Sequence, residues 1–342
     1  MKRLAPVVLI VALLGVSRPG AADGGMTRAL AFLVPTIRLS SDEQTTLGND
    51  RAIARVLSVT RDDISLFGIT PVRASGSELI RASRNIARLR QSPQVLAIGR
   101  FSDPPRLSDL DKLTLDQGDV DAIPQCRPGN CDLKLSDAEM AALQAVMRQP
   151  GGRARVQQAF REVIFARVQA YLEGGLAALQ PLHDHDEPVN LQEQFLSVLH
   201  GSSSLMSEAP WLVPYLAGPP VPAPPNVSWY LYWSTEKYAG RPVVRVAHLL
   251  ATELPDGPVG PQAVLVEKQL FALHYINALI GVTTLSAAGG TDPNFLVYAN
   301  RSRVDFLGGF FGPIKRTIVR HEVEGYLVKI LAFARRRLEA TD

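Results

Sequence analysis

From Val227 the chain alternates, with Val227, Trp229, Leu231 and Trp233 apolar at every second position and Ser228, Tyr230, Tyr232 and Ser234 between them. Period-two alternation marks a strand with one face buried in the core. Residues 243–250 and 295–304 read as further strands. Residues 263–286 are too many for one strand and are interrupted by Glu267, Lys268 and His274. They read as two strands, or one long bent strand, with the change near Asn277. Gly308-Gly309 and Gly312-Pro313 then lead into a C-terminal helix with Ile314, Ile318, Leu327, Ile330, Ala334 and Leu338 facing inward. Pro313 suits a first helical turn, and Arg335, Arg336 and Arg337 suit the negative end of the helix dipole.

The first half has a different texture. Residues 23–50 read as a polar, loosely structured lead-in, and 52–72 as β-rich through Val56, Val59, Ile64, Leu66, Phe67, Ile69 and Val72. Gly76-Ser77 opens a helix to about Arg90, with Leu79, Ile80, Ile86 and Leu89 at helical spacing, and 95–101 reads as a second strand. The acid-rich stretch 103–133 reads as a surface loop. Ser136 with Glu139 is a capping box that starts a helix to about Arg148. After Pro150-Gly151-Gly152 comes a longer helix with Val156, Phe160, Val163, Ile164 and Tyr171 on one face, then another over 191–199. Seven prolines in 209–226 predict an extended connector, packed on the protein through Trp211 and Tyr215.

This order predicts an α+β fold: an antiparallel sheet packed on a long C-terminal helix, helix-grip-like, with an inserted helical block. The expected organisation is a signal peptide at 1–22, an N-terminal strand-helix-strand part with a disulfide loop at 23–135 and a helical block at 136–208. The connector at 209–226 follows, and then strands and helix at 227–342 that form one domain with 51–101.

Composition changes the picture at the N-terminus. Lys2 and Arg3 precede an apolar stretch over 5–16 and the small residues Gly20-Ala21-Ala22, the three-part layout of a secretory signal peptide. The stretch is short for a bilayer crossing of roughly 20 residues, and a retained anchor helix is the alternative. The formal charge of the 342-residue chain is +3; removing 1–22 takes away Lys2, Arg3 and Arg18 and no acid, which leaves zero. The basic balance thus belongs to the export signal, and the electrostatic case for nucleic acid goes with it. The mature chain is expected to be periplasmic or secreted, with no transmembrane segment. Its two cysteines, Cys126 and Cys131, flank the turn former Pro128-Gly129 and are expected to form a structural disulfide.

Signatures of catalysis are sparse. There is no G-x-S-x-G elbow, no phosphate-binding loop and no H-E-x-x-H, and His321-Glu322-Val323-Glu324 stops short of the last. His183-Asp184-His185-Asp186-Glu187 has metal-ligand types without a closed coordination shell, so it reads as a solvated loop, with no metal or cofactor expected. In Asn300-Arg301-Ser302-Arg303-Val304-Asp305 an extended backbone puts Arg301, Arg303 and Asp305 on one face. The two guanidiniums have donors to spare for an anionic head group; the plainer reading is an Arg–Asp brace for the strand-to-helix loop. His274, in the most apolar segment, is either an acid/base or a hydrogen-bonded core residue. Trp233 and Glu236 read as a strand end with one outward carboxylate.

Cys126-x4-Cys131 with Asp132-Leu133-Lys134-Leu135, His274-Tyr275 and the Asn300–Asp305 motif together resemble an exported, functionally uncharacterised bacterial family. That resemblance implies no activity and no catalytic residues. More loosely, the order of elements resembles the helix-grip arrangement of StAR-related lipid-transfer domains, which implies an apolar cavity between sheet and helix. The leading expectation is a noncatalytic exported protein that binds an apolar or amphipathic, lipid-like molecule there. Trp229, Trp233, Tyr275 and Phe295 would line the cavity, with Arg301 and Arg303 at its polar end; the same aromatics also suit a solid core. The alternatives are a hydrolase-type enzyme using His274, or Arg301 and Arg303 with Asp305, and an interaction module whose helical block docks a protein partner.

Overall fold

The computed structural model describes residues 22–219, 226–238, 240–254, 260–289, 293–308 and 312–340; the expected signal peptide, but for Ala22, lies outside them. The strands are β1 (Ile53–Val59), β2 (Asp63–Val72), β3 (Val95–Arg100), β4 (Val227–Tyr238), β5 (Arg241–Glu253), β6 (Gly260–Ala272), β7 (Ile276–Ala287) and β8 (Asn294–Val304). They form one antiparallel sheet in the order β1-β2-β8-β7-β6-β5-β4-β3. The helices are α1 (Ala22–Ala31), α2 (Ser41–Gly48), α3 (Gly76–Ser83), α4 (Ile86–Leu89), α5 (Gln117–Ala122), α6 (Asp137–Met147), α7 (Gly152–Gly174), α8 (Leu191–His200), α9 (Ser203–Glu208), α10 (Val213–Ala217) and α11 (Gly312–Glu339). The protein is therefore α+β, with the expected long C-terminal helix and a helical block.

Local chemistry sets several helix starts. Ser40 with Glu43, Ser75 with Glu78, and Ser136 with Glu139 each form a reciprocal capping box. The helix expected over 76–90 breaks at Arg84, because the Asn85 side chain accepts from Arg88 N and caps α4 afresh. Three expectations for irregular chain are corrected. Residues 23–50 contain α1 and α2, with Met26, Ala29, Leu30 and Leu33 buried. The stretch 103–133 is no surface loop: Leu110, Leu113, Leu115, Val120 and Ile123 enter the core. The described part of the connector is mostly helical, because Pro210 and Pro214 occupy first-turn positions that need no donor N–H.

The sheet is buried on both sides, and period two sorts its residues. Phe67, Trp233, Val246, Val266, Ile280 and Val297 pack with α6, α7 and α8 in one core, which we call the block side. Leu66, Tyr232, Leu249, Leu265, Leu279 and Leu296 pack with Leu79 and Ile80 of α3 and with Leu327, Leu331 and Leu338 of α11 in a second core, the grip side. Helix α11 crosses β1 and β2 closely. A Cβ on Gly68 would lie 2.5 Å from Leu331 Cδ1 and 3.1 Å from Ile53 O, so glycine permits this approach. The helical block is inserted between β3 and β4, which are neighbours in the sheet.

Candidate functional site

The residues expected to line a cavity under α11 do not meet there. Trp229, Trp233 and Phe295 belong to the block-side core. Trp233 is fully buried and donates Nε1–H to Asp109 O at 2.9 Å, and Trp229 lies 5.0 Å from the His248 ring. Tyr275 sits in the β6–β7 turn at φ +66°, with Phe306 5.4 Å away. Arg301 and Arg303 do share a face, but it is the face that meets the block. Arg301 pairs with Asp63 at 3.0 Å and donates to Gly201 O at 2.8 Å, while Arg303 pairs with Asp62 and reaches Gln194 Oε1. They brace β8 to α8 and to the β1–β2 turn. The expected brace of the strand-to-helix loop is therefore replaced by a different one, whose carboxylates are Asp62 and Asp63 instead of Asp305.

Asp305 belongs to another cluster. The Lys134 ammonium is buried and donates to Asp184 Oδ2 at 2.9 Å, to Asn277 Oδ1 at 2.6 Å and to Asp305 Oδ2. Asp184, His185 and Asp305 offer ligand atoms within 4.8 Å of one another. The ammonium already bonds both carboxylates, so the cluster is a cation-filled clasp between the start of α6 and the end of β8. His274 is likewise buried, with Nδ1 2.8 Å from Asp132 O and Nε2 3.0 Å from Asp119 Oδ1. Arg241 pairs with Asp119 and Asp132 at 2.6 and 2.7 Å. Both ring nitrogens of His274 are in contact with oxygens of other segments, so the imidazole ties the disulfide loop to the sheet. Cys126 and Cys131 are bonded as expected.

The assembly that sequence reading missed lies on the grip side. Glu236 has no exposed surface, and it accepts from Arg90 Nη2 at 3.1 Å, Ser234 Oγ at 2.7 Å, Tyr238 Oη at 3.0 Å and Arg245 Nη1 at 3.4 Å. Glu267 takes the other side of both guanidiniums. Arg245 also donates Nε–H to Gln269 Oε1 at 3.1 Å and reaches Tyr238 Oη at 3.2 Å. Tyr326 of α11 stands 6.4 Å from the Tyr238 ring. Burial pushes both carboxyls up, but the two guanidiniums outweigh it: Glu236 is held below its ordinary value and Glu267 at about 2. Burial raises the phenols of Tyr232, Tyr238 and Tyr326, and that of Tyr298 to about 12. The carboxylates therefore stay ionised and the phenols protonated. Such a wall presents fixed charges and neutral hydroxyls near neutrality.

No family model, curated protein or solved structure matches this chain. The geometry stands alone.

A second polar group is enclosed on the block side. Lys268 is fully buried, donates to Leu216 O at 2.6 Å, and lies 5.1 and 4.9 Å from the ring centroids of Tyr171 and Phe195. Burial lowers its ammonium to about 7. Its cross-strand neighbour His248 contacts Tyr171 Oη at 2.7 Å through Nδ1, while Nε2 is buried without a partner. Burial and the Lys268 charge lower His248 to about 3. A small space on this side, beside Val246 and Leu270, holds about 10 Å³. That is room for a water at most.

The grip-side network had a legible trace. Tyr230, Tyr232, Ser234, Glu236 and Tyr238 are the even positions opposite the apolar odd ones in β4, so Glu236 points inward with the tyrosines. Reading it as an outward carboxylate ended the strand too early. Glu267 and Lys268 looked like an interruption but lie within β6, one on each face.

Proposed function

We propose that this is a noncatalytic, exported binding protein that takes an amphipathic, lipid-like molecule between α11 and the grip side of the sheet. The observation that carries the reading is the uneven seating of α11. From Ile314 to Tyr326 no side chain is buried, whereas Leu327, Leu331 and Leu338 are. The first half rests on the grip-side core through the half-buried Val319 and Val323, and the grip-side wall combines the phenols of Tyr238 and Tyr298 with Leu265, Leu279 and Leu296. Polar groups beside an apolar wall suit a molecule with a head and a tail. Two guanidiniums face two carboxylates, so an uncharged or zwitterionic head group fits better than a strong anion. Export draws support from the Cys126–Cys131 bond, which persists in oxidising compartments. A hydrolase on His274, or on Arg301 and Arg303 with Asp305, lacks a free acid–base group, since each is engaged in a brace.

Native mass spectrometry after mild purification tests the reading. A co-purifying amphiphile, or uptake from a lipid extract that Tyr326→Ala weakens, is the expected result. No bound lipid and no uptake would overturn it.

A further inference from the structure

The first half of α11 also presents a surface. Ile314 and Ile318, expected from the helical spacing to face inward, are instead 60% and 52% exposed, and they sit one turn apart on the same face. Lys315, Arg316 and Arg320 lie between and beside them, and no acid occurs from 312 to 321. Arg61, exposed in the β1–β2 turn, joins the foot of the helix, with its Nε 3.3 Å from where a Gly308 Cβ would stand. Lys315 and Arg316 donate to the carbonyls of Phe306 and Leu307, which hold the cations in place without neutralising them. Among the described residues none of these four cations has a carboxylate partner.

Exposed branched apolar chains flanked by unneutralised cations, with the first acid of the helix, Glu322, one turn beyond Ile318, suit one partner above others. A second copy docked through the same patch would set cations against cations, which disfavours a symmetric dimer. An anionic lipid surface accepts both features, because its head groups attract the basic side chains and its acyl boundary takes the isoleucines. We propose that the N-terminal half of α11 docks the protein on an anionic bilayer surface. This is independent of what binds beneath the helix: vesicle docking reads the outer face of α11, and ligand uptake reads its inner face.

The test is hydrogen exchange and co-sedimentation of the full chain with vesicles of phosphatidylcholine plus phosphatidylglycerol, compared with phosphatidylcholine alone. Exchange over 314–325 is expected to slow only with the anionic vesicles. The double variant Arg316→Gln/Arg320→Gln should weaken partition about thirtyfold at low salt, from two lost head-group attractions. Ile314→Asp/Ile318→Asp should abolish protection over 314–325. Ile314, Ile318 and Arg320 are exposed and Arg316 is half-buried, so an unchanged melting temperature is the control that folding is intact. Unaltered exchange over 314–325 with anionic vesicles, equal protection by neutral vesicles, or variants that partition like the parent would overturn the proposal. So would an oligomer that Ile314→Asp/Ile318→Asp dissolves while vesicles leave exchange unchanged.

Discussion

Glu236→Gln is the sharpest probe of the grip-side network. The substitution keeps the shape of the side chain but leaves the guanidiniums of Arg90 and Arg245 facing Glu267 alone. Breaking a buried ion pair by neutralising one partner costs about 3–5 kcal/mol, because the remaining charge stays desolvated. Arg90 keeps a quarter of its side chain exposed, so water absorbs part of the excess charge. The expected loss is therefore at the low end, about 3 kcal/mol. Adding Arg245→Met restores balance with one guanidinium against one carboxylate. The double variant should then lose less than the sum of the single losses, by about 1–3 kcal/mol. Urea unfolding followed by tryptophan fluorescence reads all four corners of the cycle. Additivity within about 0.5 kcal/mol, or a single-variant loss below about 1 kcal/mol, would refute a network acting as a unit.

Other expectations follow from the enclosed residues. The folded Lys268 gives up its proton at about 7 and an unfolded one at 10.5, so its cost is fully present below 7 and is relieved as pH rises from there towards 10.5. His248 stays neutral to about 3 against 6.5 unfolded, so stability should fall as pH drops from 6.5 towards 3. Melting temperature against pH checks both: Lys268→Met should remove the alkaline rise, and His248→Asn should flatten the acid fall between 6.5 and 4.5, above the range in which Glu236 and Glu267 contribute. Gly99→Ala places a Cβ 2.6 Å from the Trp233 indole and should cost about 1–3 kcal/mol with a shifted tryptophan emission, read by fluorescence-monitored unfolding. Reducing the Cys126–Cys131 bond, which closes a loop with a sequence separation of 5, should cost about 2 kcal/mol in paired unfolding curves with and without reductant.

The fold was legible where one periodicity held over a whole element. The alternation at 227–234, the Ser136–Glu139 capping box and the change of strand near Asn277 each mark a real feature. Residues 23–50 and 103–133 were not legible, because their short helices carry too few apolar positions for a period to emerge and are held by tertiary contacts. The site was harder. Alternation states which residues share a face but not what covers it, so Trp229, Trp233 and Phe295 were correctly grouped and then assigned to the wrong layer. Glu236, Arg245 and Glu267 lie on three separate strands, and only the register of the sheet brings them together.

The insertion between β3 and β4 bears on the order of folding. The two strands pair at Arg100 with Tyr232, yet everything from Phe101 to Asn226 lies between them in the chain. Closing so long a loop is entropically unfavourable, whereas β4 to β8 follow one another through short connections. The meander should therefore assemble first and β3 join last, as an edge strand recruited after the block has condensed. The sheet, however, cannot shed its guest: without it Leu231, Trp233, Val246 and Val266 would face water.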